Sequence, residues 1–298
     1  MNMVTTVVRT NNLRSIYAML CAVALFSCMD TCLKLLSADY PAMQVAALRA
    51  LTSLPLVLAY VGWRGAASTM FQVRWRLHLL RGALGIAMLS LFAFGIQTLS
   101  LAEAYSIFFI APALITALSV LFLKETVNAA RWLAIVVGLG GVLVVLRPSG
   151  AGLLSLGGLA VLGAATMYAV SAITTRILSR TDRSEHTVLW LMIFVAIGAG
   201  TLAAPQWVGM RASDSILLCA LAITGFLGQL AITEAFGYGE ASKVAPFEYT
   251  ALAFGVGFDW LLWHTLPDGI TLLGAAIIIG SGLYLIRHEG QHAEAEHP

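Results

Sequence analysis

Long apolar runs separated by short polar breaks occupy nearly the whole chain. The first run, at about 15–36, is longer than the core of a signal peptide and lacks an A-x-A cleavage pattern, so we interpret it as a membrane helix. Further runs of similar length lie at about 42–61, 77–98, 104–123, 131–146, 153–178, 187–204, 215–236, 243–263 and 268–286. The pattern predicts an all-α integral membrane protein with ten transmembrane helices.

The breaks between these runs contain turn residues or charges, as at Asp39-Tyr40-Pro41 and Arg147-Pro148-Ser149-Gly150. They divide the chain into four predicted parts. A polar leader (1–14) precedes a first five-helix repeat (15–147), a second repeat (153–287) and a hydrophilic tail (288–298).

The two halves of the chain resemble each other. Leu101-Ala102-Glu103-Ala104 and Gly239-Glu240-Ala241 each lead into a proline-bearing helix, and 140–147 aligns with 280–287 at an offset of 140. Because five is an odd number, the second half must be inverted relative to the first. Inverted repeats are typical of carriers with a central cavity at the repeat interface. A chance alignment of apolar runs is the alternative.

Composition agrees with a membrane protein: 59% of the residues are hydrophobic and 11% are charged, against about 25% charged in soluble domains. A net charge of +2 does not indicate a nucleic-acid partner. The four cysteines have no C-x-x-C spacing, so packing is expected rather than a disulfide or a metal site. No nucleophile–base set, zinc motif or phosphate-binding loop is present, which argues against an enzyme and against a cofactor.

Lys and Arg set the predicted orientation, because they concentrate in cytoplasmic segments. With the N-terminus inside, only Arg147 and Arg211 lie outside, and Lys34 and Arg49 lie within spans. Both termini are therefore predicted to be cytoplasmic. The basic residues assigned to the cytoplasmic side are Arg9, Arg14, Arg64, Arg74, Arg76, Arg81, Lys124, Arg131, Arg176, Arg180, Arg183, Lys243 and Arg287.

Several charges lie inside apolar runs, where each costs about 2.5–3.5 kcal/mol at the centre of a helix. On a continuous helix Glu248 and Asp259 lie about 20° apart, and Gly255 shares their face. Asp30 and Lys34 have i,i+4 spacing, and with Arg49 they form either a buried ionic clamp or part of a cavity wall.

The predicted cavity residues include polar and aromatic side chains as well as charges. They are Asp30, Lys34, Arg49, Gln97, Tyr105, Glu234, Lys243, Phe247, Glu248, Tyr249 and Asp259. Pro112 and Pro246 remove helix hydrogen bonds and are predicted hinges.

Other features have structural interpretations. Residues 74–81 are interpreted as a positive-inside anchor rather than an anion site. Glycines at 138–141 and 274–282 are expected to permit close helix packing. The histidines of the tail, His288, His292 and His297, are expected to be solvated rather than to bind a metal.

The chain resembles the drug/metabolite transporter superfamily, in its ten-helix EamA branch. The resemblance covers Arg14–Arg287, and departures from it are Thr265, where many relatives have an acidic residue, and the additional Glu234. The motifs that carry it are Asp30 with Lys34, Arg49, His78-Leu79-Leu80-Arg81-Gly82, Pro112, Leu121-Phe122-Leu123-Lys124-Glu125, the glycine-rich fifth helix, Val244-Ala245-Pro246-Phe247-Glu248-Tyr249 and Leu266-Pro267-Asp268.

The resemblance implies an inner-membrane secondary carrier whose relatives differ widely in cargo. A cavity with both signs of charge favours a small zwitterionic metabolite, such as an amino acid or an amino-acid-derived metallophore, moved outward by alternating access. Glu248 is the candidate proton carrier, because a buried carboxyl without a nearby cation can exchange a proton near neutrality. The alternative is an importer of a nucleoside- or flavin-like molecule, such as S-adenosylmethionine or riboflavin. Expected partners are the bilayer, the metabolite and coupling protons, with the protein a monomer or homodimer.

Overall fold

Helices form all the regular secondary structure of the described residues. The computed structural model describes 3–149, 154–264 and 267–295, with side chains from 12 to 287 apart from residues 101, 102, 259 and 263. No strand occurs in these ranges. The first half contains α1 (Met3–Leu36), α2 (Ala42–Trp63), α3 (Trp75–Gly95), α4 (Leu101–Phe108), α5 (Ala111–Leu118) and α6 (Ala129–Leu146).

The second half repeats this order of elements. It contains α7 (Leu156–Leu178), α8 (Ser184–Ala203), α9 (Ser215–Tyr238), α10 (Ala241–Val244), α11 (Thr250–Trp263) and α12 (Gly269–Ala295). In each half the fourth segment is broken near a proline. Pro112 occupies the first turn of α5, and Pro246 occupies the first turn of a 3₁₀ stretch, Ala245–Tyr249. Proline has no N–H to donate, so it interrupts the hydrogen bonding of a continuous helix and is tolerated at the first turn of a new one.

Within the described residues, nine helices are long and apolar enough to cross a membrane. They cover the predicted spans except 243–263, which is divided between α10, the 3₁₀ stretch and α11. The all-α membrane class is thus confirmed, and the count of ten spanning segments stays a prediction. The described parts of the predicted leader and tail are helical, since α1 begins at Met3 and α12 continues to Ala295.

Helices pack symmetrically across the two halves. By position in the two halves, α1 corresponds to α7 and α3 corresponds to α9. Helix α1 packs on α9, and in the same way α7 packs on α3. The remaining large contacts join counterparts directly, α2 with α8 and α6 with α12. Lys124 and His264, at the repeat offset, both end a helix in the left-handed conformation, with φ of 57° and 52°. A two-fold relation between the halves, as inverted repeats require, accounts for this pattern.

The crossing of α6 and α12 is close enough to require glycine. A Cβ atom built on Gly141 would lie 3.0 Å from the carbonyl oxygen of Gly274, and one built on Gly274 would lie 2.9 Å from that of Gly141. This is the close packing that the glycine pattern predicts. Gly140, next to the crossing, faces open space.

Candidate functional site

Tyr168, near the middle of α7, is the centre of a polar group inside the helix bundle. Its hydroxyl donates a hydrogen bond of 2.9 Å to Oε1 of Glu248, in the 3₁₀ stretch. Arg49 of α2 and Arg81 of α3 both lie within electrostatic reach of the Tyr168 hydroxyl. Four separate segments therefore bring two cations, a carboxyl and a phenol together.

Asp30 and Arg49 extend this group toward α1. The two charges lie within electrostatic reach of each other, yet they form no ion pair within 4.0 Å. The Arg49 guanidinium lies over the ring of Phe26, 5.3 Å from its centroid, and has no hydrogen-bond acceptor among the described residues. The direct ionic clamp between Asp30 and Arg49 is therefore not formed, and both groups remain open to a third partner.

Three side chains beside this group have exposed surface, Asp30, Lys34 and Tyr105. Asp30 is crowded by protein atoms and still has an exposed surface, which is expected of a residue in a cavity wall. Tyr105, in the middle of α4, is 40% exposed and lies within electrostatic reach of Asp30. Lys34, one turn beyond Asp30, is exposed as well.

Other predicted site residues lie apart from this group. Glu234 pairs with Arg14 at 3.5 Å, and Lys243 pairs with Glu240 at 3.0 Å. Gln97 lines a separate depression of about 500 Å³ where α2 begins and α3 and α8 end. The role of these residues in the cavity stays a prediction.

The two predicted aromatic contacts on the broken helix are packed inside the protein. Phe247 is buried in the apolar core beside Gly282 of α12, and Tyr249 is buried against Gly138 and Ile278. Neither side chain has a free face toward Asp30 or Arg49, since Phe247 is 1% and Tyr249 0% exposed. Their contact with cargo stays a prediction.

The predicted alignment of Glu248 with Asp259 needs a correction. It assumed an uninterrupted α-helix, but the stretch Ala245–Tyr249 is 3₁₀ and α11 begins only at Thr250. The 100° step per residue therefore does not hold between Glu248 and Thr250, and the 20° separation from Asp259 stays a prediction. Asp259 lies in α11, but its side chain is not among those described. The side chains of Thr265 and of the tail histidines are also outside the described ones.

A second polar cluster joins the two repeats at their predicted cytoplasmic ends. The Glu125 carboxylate accepts hydrogen bonds from the backbone N–H groups of Ala241 and Ser242, at 2.9 and 3.0 Å, and from the Ser242 hydroxyl at 2.7 Å. Arg131, just beyond Glu125, pairs with Glu240 at 3.1 Å. We call the contact of Glu125 with Ala241 and Ser242 the inter-repeat latch.

A third cluster lies where α3 begins and α7 ends. Asp182 accepts hydrogen bonds from the backbone N–H of Arg74 and from Thr181, and lies 2.8 Å from Nε2 of His78. Burial alone would raise the pKa of Asp182, but these hydrogen bonds outweigh it and lower the pKa below its usual range. The cluster fixes the loop between α7 and α8 against α3.

Sequence reasoning missed Tyr168 and gave Arg81 only an anchoring role. A single tyrosine in an apolar helix carries no signal of its own, because tyrosine is also common in packed helices and at membrane interfaces. Arg81 lies seven residues after Arg74, so the sequence places both near the same helix end. Only the packing of α3 against α7 and α8 shows that Arg81 is buried while Arg74 is exposed.

The chain matches known transporters over most of its length. The model of the EamA-like transporter family matches residues 13–147 and again 155–287. The chain is 28% identical to the pseudopaline exporter CntI of Pseudomonas aeruginosa, covering 88% of this chain and 92% of that protein. It is 27% identical to a riboflavin transporter of Vibrio cholerae, covering 86% of each.

One solved crystal structure has the same fold. It aligns with a TM-score of 0.82 and covers 95% of this chain and 98% of that chain. At 16% sequence identity the likeness concerns the fold alone.

Proposed function

The chain belongs to the EamA-like transporter family, and we propose that it is a secondary carrier for a small metabolite with both an amine and a carboxylate, moved by alternating access. The family and the matched relatives are transporters rather than enzymes. The observation that supports this cargo is the pair Asp30 and Arg49, two opposite charges that are close but not joined.

An unjoined pair of opposite charges suits a zwitterion. The guanidinium of Arg49 offers parallel N–H donors to a carboxylate, and the Asp30 carboxylate accepts from an ammonium group. A directly bonded pair would have to be broken before cargo could bind. Here the donors of Arg49 have no acceptor among the described residues, so cargo binding replaces water and breaks no hydrogen bond of Arg49 to these residues.

Protons are the proposed coupling ion, with Glu248 as their carrier. Its carboxyl accepts a hydrogen bond from Tyr168 and forms no ion pair among the described residues. A carboxyl in this setting can be neutral in one state of the carrier and charged in another. Because Tyr168 also lies near Arg49, cargo and proton would act on neighbouring groups.

We propose export as the direction, across an inner membrane with both termini in the cytoplasm. The matched pseudopaline exporter supports export, and the Lys and Arg distribution supports the orientation. In this orientation the inter-repeat latch closes the cytoplasmic side while Asp30 and Tyr105 lie nearer the outer ends of their helices.

Counterflow in proteoliposomes tests the proposal. Vesicles containing the purified protein are loaded with an unlabelled amino acid, and entry of the labelled compound is followed. Loaded vesicles should take up label faster than empty ones, and both Asp30→Asn and Arg49→Gln should abolish the difference. Equal uptake by loaded and empty vesicles with every amino acid tested would contradict the proposal.

A planar cargo is the second candidate, supported by the rings beside the polar group. Phe92 contacts Tyr105 and Phe108, both at 5.5 Å between ring centroids, and Phe108 contacts Tyr168 at 5.7 Å. Such rings can stack on a flat molecule, and the matched riboflavin transporter agrees with this. Riboflavin counterflow that is lost in Tyr105→Ala and kept in Asp30→Asn would favour the second candidate.

A further inference from the structure

Arg81 differs from the other arginines at the start of α3. Arg74 and Arg76 are exposed, as residues that anchor a helix at the membrane surface should be. Arg81 is only 4% exposed. Its side chain lies inside the bundle, so the anchoring role predicted for 74–81 does not extend to it.

The Arg81 guanidinium has few partners. Nη1 donates a hydrogen bond of 2.8 Å to the carbonyl oxygen of Thr187, at the start of α8. Nε is buried without an acceptor, and Nη2 has no acceptor among the described residues. A buried guanidinium with one carbonyl partner leaves most of its hydrogen-bonding capacity unused.

The carboxylates near Arg81 belong to other partners. Asp182 lies against His78 at 2.8 Å, and Glu185 pairs with Arg64 at 2.8 Å. Among the described residues none lies within 4.0 Å of the Arg81 guanidinium as a counter-ion. A buried charge without a counter-ion is strongly unfavourable, so its presence calls for a ligand that supplies the opposite charge.

Arg81 and the proposed cargo site share Tyr168 as a neighbour. Arg49 and Arg81 approach the Tyr168 hydroxyl from α2 and α3 and lie within its electrostatic reach. Asp30 is within electrostatic reach of Arg49, whereas no carboxylate of the described side chains is within such reach of Arg81. When the Glu248 carboxyl on Tyr168 is protonated, the interior therefore has one more cation than the amine and carboxylate of a simple amino acid require.

We propose that Arg81, together with Arg49 and Tyr168, forms a subsite for a second acidic group of the cargo, a carboxylate or a phosphate. This inference rests on the proposed function and narrows it. The cargo class becomes a metabolite with one amine and two acidic groups. The Arg49 and Asp30 groups bind the amino-acid end, and Arg81 binds the additional acid deeper in the bundle.

Ligand-dependent thermal stability of the purified full-length protein tests the subsite. Glutamate, O-phosphoserine and glutamine share the amino-acid end and differ only in the second group. Glutamate or O-phosphoserine should bind the wild type about ten- to hundredfold tighter than glutamine, as expected for hydrogen bonds to a charged group. A larger effect of one of the two acids identifies the carboxylate or the phosphate.

Arg81→Gln should abolish this preference and keep the glutamine affinity, whereas Arg49→Gln should weaken binding of all three. Arg76→Gln, on the exposed face of the same helix, is the matched control and should behave as wild type. If Arg81→Gln does not yield a folded protein, Tyr168→Phe replaces it, since the ring and its contact with Phe108 are kept and only the hydroxyl is lost.

Equal affinity of the wild type for glutamate, O-phosphoserine and glutamine would overturn the subsite alone, because the amino-acid end would still be recognised. An undiminished preference in a folded Arg81→Gln or Tyr168→Phe protein would overturn it as well. A wild type that binds none of the three compounds would count against the proposed function and the subsite together.

Discussion

The hydroxyl of Tyr168 donates a 2.9 Å hydrogen bond to the Glu248 carboxyl, joining the first helix of the second repeat to its broken fourth segment. In a carrier whose fourth segment moves between states, such a bond is made or released together with the movement. In the proposed carrier, this one contact would couple the protonation of Glu248 to the position of the broken helix.

Glu248→Gln should remove the pH dependence of transport while the protein remains folded. The amide has the size of the carboxyl and can accept the Tyr168 hydrogen bond, but it does not exchange a proton. Transport rates measured in proteoliposomes between about pH 5.5 and 8 should be flat in this variant. Tyr168→Phe should lower the rate and keep the pH dependence, because Glu248 still titrates. An unchanged pH profile in Glu248→Gln would contradict Glu248 as proton carrier.

Arg49→Gln should weaken cargo binding by about ten- to hundredfold, since hydrogen bonds to a charged group contribute about 1.5–3 kcal/mol. Arg49→Lys keeps the charge and loses the planar fork, so it should restore only part of the affinity. Binding can be measured by thermal shift or calorimetry. Thr52→Ala is the control, because the Thr52 hydroxyl bonds only the Leu48 carbonyl of its own helix.

The helices could be predicted from sequence because the bilayer fixes their length. The run predicted at 42–61 corresponds to α2, Ala42–Trp63, and the run predicted at 131–146 corresponds to α6, Ala129–Leu146. The glycines of α6 and α12 also meet as their pattern predicts. Apolar length and small-residue spacing are local properties, so the sequence displays them directly.

The site could be predicted only in part, because it depends on side chains from separate helices. Asp30, Arg49 and Glu248 could be chosen as candidates because charges in apolar runs are conspicuous. The partner that connects them, Tyr168, has no such signal. The break at Ala245–Tyr249 also interrupts the continuous α-helix on which the predicted alignment of Glu248 with Asp259 was based, so that alignment stays a prediction.

Gly141→Ala should destabilise the protein by about 1–3 kcal/mol, the usual effect of overpacking. The added methyl would lie 3.0 Å from the Gly274 carbonyl oxygen and 2.8 Å from Ile278, where α6 and α12 are too close to accommodate it. Gly140→Ala is the matched control, because that position faces open space. Unfolding temperatures in the same detergent compare the two variants, and equal values would contradict the tight crossing.

Glu125→Ala should open the inter-repeat latch. The substitution removes the acceptor of two backbone N–H groups, Ala241 and Ser242, and of the Ser242 hydroxyl. Amide hydrogen exchange in α10 should become at least about tenfold faster, since each bond to a charged acceptor contributes about 1.5–3 kcal/mol. Ser242→Ala leaves both backbone bonds in place and should change exchange much less. Unchanged exchange in Glu125→Ala would show that other contacts close this end.

Asp182→Asn should lower stability in a pH-dependent manner. The pKa of Asp182 is lower in the folded protein than in the unfolded chain, since its hydrogen bonds to Arg74, Thr181 and His78 outweigh the effect of burial. A carboxyl of this kind stabilises the fold above its unfolded pKa of about 4 and loses that contribution as the pH falls through the folded value.

The wild type should therefore exceed Asp182→Asn in unfolding temperature at pH 5–7, by an amount equivalent to about 1–3 kcal/mol, and the difference should shrink below about pH 4. Asp39→Asn is the control. Asp39 pairs with Arg211 at 2.9 Å, but both side chains are exposed, and exposed pairs contribute little. A difference that stays constant down to pH 3 would assign the effect of Asp182→Asn to shape rather than charge.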